Sequence, residues 1–174
     1  IEGLLAEPVA REAQPAFLRR EGVPLHCSFL IGCARHAAHP RGADGSVVTS
    51  SSGQAVSKQA EADWKEALAT FEANEKGGWS PDKCESVSSS FNSANRSQKG
   101  KFAEAIYMSG LALDRCGKRE DALKFYNQAL EVDGKLCGAR VGTGIDHFKA
   151  GREAQAYSTF ERAVRDDPRC AEGY

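Results

Sequence analysis

One stretch of eighteen residues occurs twice in near-copy. "GKREDALKFYNQALEVDG" runs from Gly117 to Gly134, and "GREAQAYSTFERAVRDDP" from Gly151 to Pro168, at an offset of 34 residues. Gly117 pairs with Gly151, Ala122 with Ala156, Tyr126 with Phe160, Ala129 with Ala163 and Gly134 with Pro168. The register extends back to Gly110 and Gly144. A supersecondary unit of this size cannot bury its own apolar face. Copies must therefore stack on one another or on a cap, which rules out most other architectures.

The rest of the chain divides into three parts. Residues 1–45 hold four of the six prolines and three of the four histidines and show no sustained apolar period. Residues 46–57, "SVVTSSSGQAVS", are rich in serine and nearly uncharged. Such a run offers little apolar area against its ordering entropy and is expected to be a flexible tether. From Lys58 the pattern turns helical. Ala60, Trp64, Leu68 and Phe71 recur at helical spacing over "KQAEADWKEALATFEANEK". "KGGW" closes that helix, and "SPDK" opens the next with Ser80 as N-cap and Pro81 in the first turn. Val87, Phe91 and Ala94 form its apolar stripe. Four further helices are expected at about 102–116, 119–132, 136–149 and 153–166. No strand pattern is present, so the fold class is all-α, with a poorly ordered N-terminal segment over 1–57.

The duplicated units resemble tetratricopeptide repeats, a helix–turn–helix family. The small residues of that family fall on Gly110, Ala122 and Ala129 in one copy and on Gly144, Ala156 and Ala163 in the other. Its second-helix aromatic falls on Tyr126 and Phe160, and its terminal proline on Pro168. Ile106 and Arg140 replace a common tryptophan, and Leu113 and His147 a common tyrosine. The resemblance implies a solenoid with two units over 102–174 and the start of a third at "AEGY". Residues 58–101 would form a degenerate hairpin that caps the stack.

Charge and motif narrow the function. The 23 basic and 24 acidic residues nearly cancel, which argues against a nucleic-acid face. No run of about 18 apolar residues is present to span a bilayer. His26, Cys27, Cys33, His36 and His39 cluster, but their spacings depart from those of zinc sites. "GARVGTG" at 138–144 follows no strand, so phosphate binding is not expected there. No nucleophile–base pair stands out, so the expectation is a protein without catalytic activity, cofactor or metal.

Cys84, Cys116, Cys137 and Cys170 all fall near expected helix ends. Cys84 begins a helix that should lie beside the one ended by Cys116. Cys137 and Cys170 open and close one unit, whose two ends should meet. Two bridges, Cys84–Cys116 and Cys137–Cys170, are expected in an oxidising compartment; the alternative is four free thiols in the cytoplasm. "LIGC", ending at Cys33, resembles a bacterial lipobox whose cysteine is lipidated, although Pro24, His26 and Cys27 break the apolar stretch before it. The tether and the cysteine-rich repeats together resemble the tetratricopeptide lipoproteins of gliding-motility envelope complexes. That resemblance implies an outer-membrane, periplasm-facing protein.

In the repeat family the first helices line a groove for a partner peptide. Here those positions are Tyr107, Leu111, Val141, Ile145 and Phe148, edged by Glu104, Asp114, Arg115 and Lys149. The Lys and Asn of the family's carboxylate clamp are replaced by Tyr107, Leu111, Val141 and Ile145. A chaperone C-terminus is therefore a poor ligand, and the partner expected is an amphipathic helix or apolar peptide. The alternative is the regulatory or docking region of a larger enzyme, consistent with a chain that starts at Ile1 and stops just after a complete unit.

Overall fold

The computed structural model describes residues 48–171. Among them the chain is helical: α1 (Lys58–Gly77), α2 (Pro81–Ser97), α3 (Ala103–Asp114), α4 (Arg119–Val132), α5 (Cys137–Lys149) and α6 (Glu153–Asp166), closed by a 3₁₀ turn over Pro168–Ala171. Each helix packs chiefly on the one before and the one after it, giving a repeat-like succession of three hairpins.

The hairpin α1–α2 joins the rest through aromatic rings. Trp64 stands with its ring centroid 5.2 Å from both Phe91 and Phe102, and Phe71 lies 5.1 Å from Trp79. Burying each such ring stabilises by roughly 1.5–3 kcal/mol. At the far ends of the same helices, Arg115 Nε donates to Glu75 Oε1 at 2.6 Å, and its guanidinium lies 5.9 Å above the Phe71 ring. With starts meeting starts and ends meeting ends, α1 and α3 run parallel. The hydroxyl of buried Ser109 lies 3.1 Å from the Ser88 carbonyl and so also ties α3 to α2.

The two 34-residue units share their turns as well as their residues. Gly117 and Gly151 both take positive φ, 75° and 72°. Their amides donate to Asp114 O and Phe148 O, and the next amides, of Lys118 and Arg152, reach back to Leu113 O and His147 O. Each first helix thus ends on a left-handed glycine that satisfies its last carbonyls. After the second helices, Asp133 and Asp167 accept from the amides of Lys135 and Arg169, at 2.9 and 3.0 Å.

Ser80 occupies the N-cap of α2 and Pro81 its first turn, as expected, although the Ser80 side chain makes no capping hydrogen bond. One expectation needs correction. Residues 48–57 of the expected tether form a small antiparallel hairpin: Val56 N donates to Val48 O, Ser50 N to Gln54 O, and Thr49 bridges to Ala55. Val48 and Val56 join the main apolar cluster, and the Gln98 side chain holds the base of the hairpin through Ser57 N and Ala55 O. Composition understated these two valines and the backbone pairing. The remainder of the expected unordered segment, 1–47, and Tyr174 of the expected third unit lie outside the described residues.

Candidate functional site

The glycine-rich run "GARVGTG" lies inside α5 and seats three aromatic rings. A Cβ on Gly138 would come within 2.7 Å of Tyr107 Cζ, one on Gly142 within 2.6 Å of Tyr126 Cε2, and one on Gly144 within 2.5 Å of Phe160 Cε1. In α3, a Cβ on Gly110 would come within 2.9 Å of Tyr126 Cε1. Each unit therefore repeats a glycine notch filled by its own second-helix aromatic. Tyr107 and Tyr126 of the first unit also press into notches on α5. Three glycines cost a helix about 1 kcal/mol each in propensity, which the ring contacts offset. Gly138 and Gly142 were missed as packing positions in the sequence; their four-residue spacing, one face of a helix, is the signal that could have found them.

These contacts decide the fate of the expected groove. Tyr107, at 2 % exposure, Leu111 at 2 % and Val141 at 4 % are buried. Tyr107 and Leu111 belong to the main cluster. Val141 and half-buried Ile145 belong to a second one with Ala163, Phe160, Cys137 and Cys170. Phe148 is 53 % exposed. The five residues thus do not form one open apolar strip. The physical reason is the closeness of the units, which the glycine notches permit and which turns Tyr107 from a groove wall into an inter-unit wedge. Burial pushes the Tyr126 hydroxyl pKa well above its ordinary value, consistent with a packing role.

Glu104 opens the same face of α3 and is 2 % exposed. The Ser51 amide of the hairpin donates to its Oε1 at 2.5 Å, while its Oε2 is buried without a hydrogen-bond partner. Desolvation raises the Glu104 pKa, and Asp133 adds to the rise; the hydrogen bonds from its own amide and from Ser51 oppose it. The hairpin over it is held lightly. Burying Val48 and Val56 is worth roughly 1.5–3 kcal/mol each. Its hydrogen bonds to the body contribute about 1 kcal/mol apiece, against about 1–2 kcal/mol of backbone entropy for every residue ordered.

The cysteines meet as expected. Cys84 and Cys116 stand at disulfide distance with Cα atoms 6.3 Å apart, and Cys137 and Cys170 with Cα atoms 5.7 Å apart. The first pair ties α2 to the end of α3, and the second ties the two ends of one unit. Cys33, the lipidation candidate, and the histidines around it lie outside the described residues. Among the described residues no group of three or more His, Cys, Asp or Glu gathers to hold a metal, and no helix is long and apolar enough to cross a membrane. His147 accepts from Arg152 Nε at 3.0 Å. Elsewhere, a polar hollow of about 410 Å³ lies beside Arg140, Thr143, Arg162 and Arg165, where Arg140 already pairs with Asp166 at 3.0 Å. No protein-family model and no curated protein sequence matches the chain.

Proposed function

We propose that the chain is a non-catalytic protein–protein interaction scaffold built on a tetratricopeptide-type solenoid. The observation that carries this reading is the recurrence, at an offset of 34 residues, of the glycine–aromatic contacts Gly110–Tyr126 and Gly144–Phe160 together with the turn hydrogen bonds around them. In a solenoid of this type the first helices lie on one side, and such a side is a natural docking surface. Ile145 and Phe148 supply its accessible apolar end, edged by the Lys149–Asp114 ion pair at 4.0 Å. That combination suits an amphipathic helix or an apolar peptide with charged flanks.

The two cysteine pairs at bonding distance favour an oxidising compartment. With the "LIGC" motif they support a scaffold lipidated at Cys33 on the periplasmic side of a bacterial outer membrane, within an envelope complex of the gliding-motility kind. Photo-crosslinking in intact cells tests the docking surface. A crosslinker at Phe148 should give discrete protein adducts, and one at Arg165 should give none. Equal adducts from both positions, or none from Phe148, would overturn the scaffold reading. Intact mass after membrane fractionation tests the anchor and should show acyl chains on a species beginning at Cys33.

A further inference from the structure

The start of α3 is covered by a separate element of the chain. The hairpin over residues 48–56 covers the start of α3, and its Ser51 amide is the donor that meets Glu104. We propose that this hairpin is a displaceable cover, and that the partner segment that replaces it presents a lysine or arginine side chain to Glu104. The proposal rests on the reading of the first-helix side as the interaction surface and names the chemistry of what binds there.

Three observations carry it. First, the pairing that shapes the hairpin is internal: Val56 to Val48, Ser50 to Gln54 and Gly53 to Ser50. These bonds travel with the hairpin when it lifts. What ties it to the helices is Val48, Val56, the Ser51–Glu104 bond and contacts at its base around Gln98 and Ser97. Its tip, Ser51 to Gln54, is exposed. An element tied by so few contacts opens without the core unfolding.

Second, the carboxylate beneath is under-supplied with donors. A carboxylate can accept about four hydrogen bonds. Glu104 takes hydrogen bonds from Ser51 of the hairpin and from its own amide, yet its Oε2 is buried and unpartnered. An ammonium or guanidinium would bring several donors and a full opposite charge to the same atoms. Asp133 adds negative field at this position, which selects for a cation and against a carboxylate ligand.

Third, the equivalent position in the next unit is covered differently. Gly138 stands 34 residues after Glu104, and the Tyr107 ring of the preceding unit roofs it. That roof is built into the core. The roof over Glu104 is a separate hairpin above a charged side chain, the arrangement expected where the cover must come off.

Hydrogen exchange on the full chain, with n-hexylammonium as the probe, tests the proposal. Hexylammonium joins a cation to a short apolar tail; hexanoate and hexanol are its controls. Amides 50–56 should exchange at least about tenfold faster than those of α3. Millimolar hexylammonium should quicken them further, while hexanoate and hexanol do not. Glu104→Gln should abolish the response to the cation. Val56→Ser, which weakens the cover away from the carboxylate, should speed exchange of 50–56 and keep the preference for the cation. Exchange of 50–56 only together with α3 would overturn the displaceable cover. An equal response to hexanol, or no response in either the parent or Val56→Ser, would overturn the cationic partner. A failed Phe148 crosslink beside a positive exchange result would count against the scaffold reading alone.

Discussion

The two 34-residue units have the same turns, the same glycine–aromatic contacts and the same end-of-helix hydrogen bonds, yet they are held together by different means. Ala103 and Leu136 begin and close the first unit, and both are buried in the main apolar cluster. Their counterparts in the second unit are Cys137 and Cys170, which stand at disulfide distance. Ile106 and Val132 of the first unit, both in apolar surroundings, correspond to Arg140 and Asp166, an ion pair at 3.0 Å. Every residue of α3 from Ala103 to Leu113 is buried, whereas Phe148, Tyr157 and Val164 of the second unit are exposed. A unit with neighbours on both sides is fixed by burial. A unit with less apolar cover has instead a cysteine pair at bonding distance and a charge pair.

The difference can be broken at four places, in falling order of effect. Gly144→Leu should abolish the folded second unit, because even its Cβ would meet Phe160 at 2.5 Å. The overpacking cost is about 3 kcal/mol or more, and thermal melts followed by circular dichroism should show an early loss of helicity. Gly142→Ala should destabilise by about 1–3 kcal/mol in urea titrations. Its sign opposes the helix-propensity gain of about 1 kcal/mol, because the new methyl meets the Tyr126 ring.

Arg140→Ile alone should cost about 1–3 kcal/mol. Arg140→Ile with Asp166→Val, which writes the first unit's residues into the second, should return to within about 1 kcal/mol of the parent in the same titrations. The smallest effect concerns Glu104. Its pKa in the folded protein is raised, chiefly by desolvation. The stability it contributes is therefore full below the ordinary glutamate pKa of about 4.3 and is lost as pH rises through the raised value. Glu104→Gln does not titrate there. The stability of the parent relative to this variant should fall across that window, and a constant difference would contradict the assignment.

Much of the helical framework was legible in the sequence. The 34-residue offset set the phase, and the pairing of Gly117 with Gly151 proved to be a pairing of helix-end turns. The expected ranges 119–132 and 153–166 match α4 and α6, and both cysteine pairs followed from which helix ends must meet. The open groove was not legible correctly. Tyr107, Leu111 and Val141 lie on the first helices as the pattern requires, but burial depends on how closely the units approach, and that is set by Gly138 and Gly142 on the opposing surface. The hairpin at 48–56 was hidden for a different reason. Its stability comes from two valines, paired backbone and one distant glutamate, none of which shows as local periodicity.

The most direct test of the claim that one unit is held by burial and the other by its bridge is hydrogen exchange on Cys137→Ala with Cys170→Leu. This variant gives the second unit the residues of the first at both positions, without the surroundings that make them sufficient. Closing a loop of about 33 residues is worth roughly 3–4 kcal/mol in the chain-entropy account. Amides of α5 and α6 should lose protection by about 100-fold or more, while those of α3 and α4 keep theirs. Unchanged protection in α5 and α6, or an equal loss through all four helices, would contradict the claim.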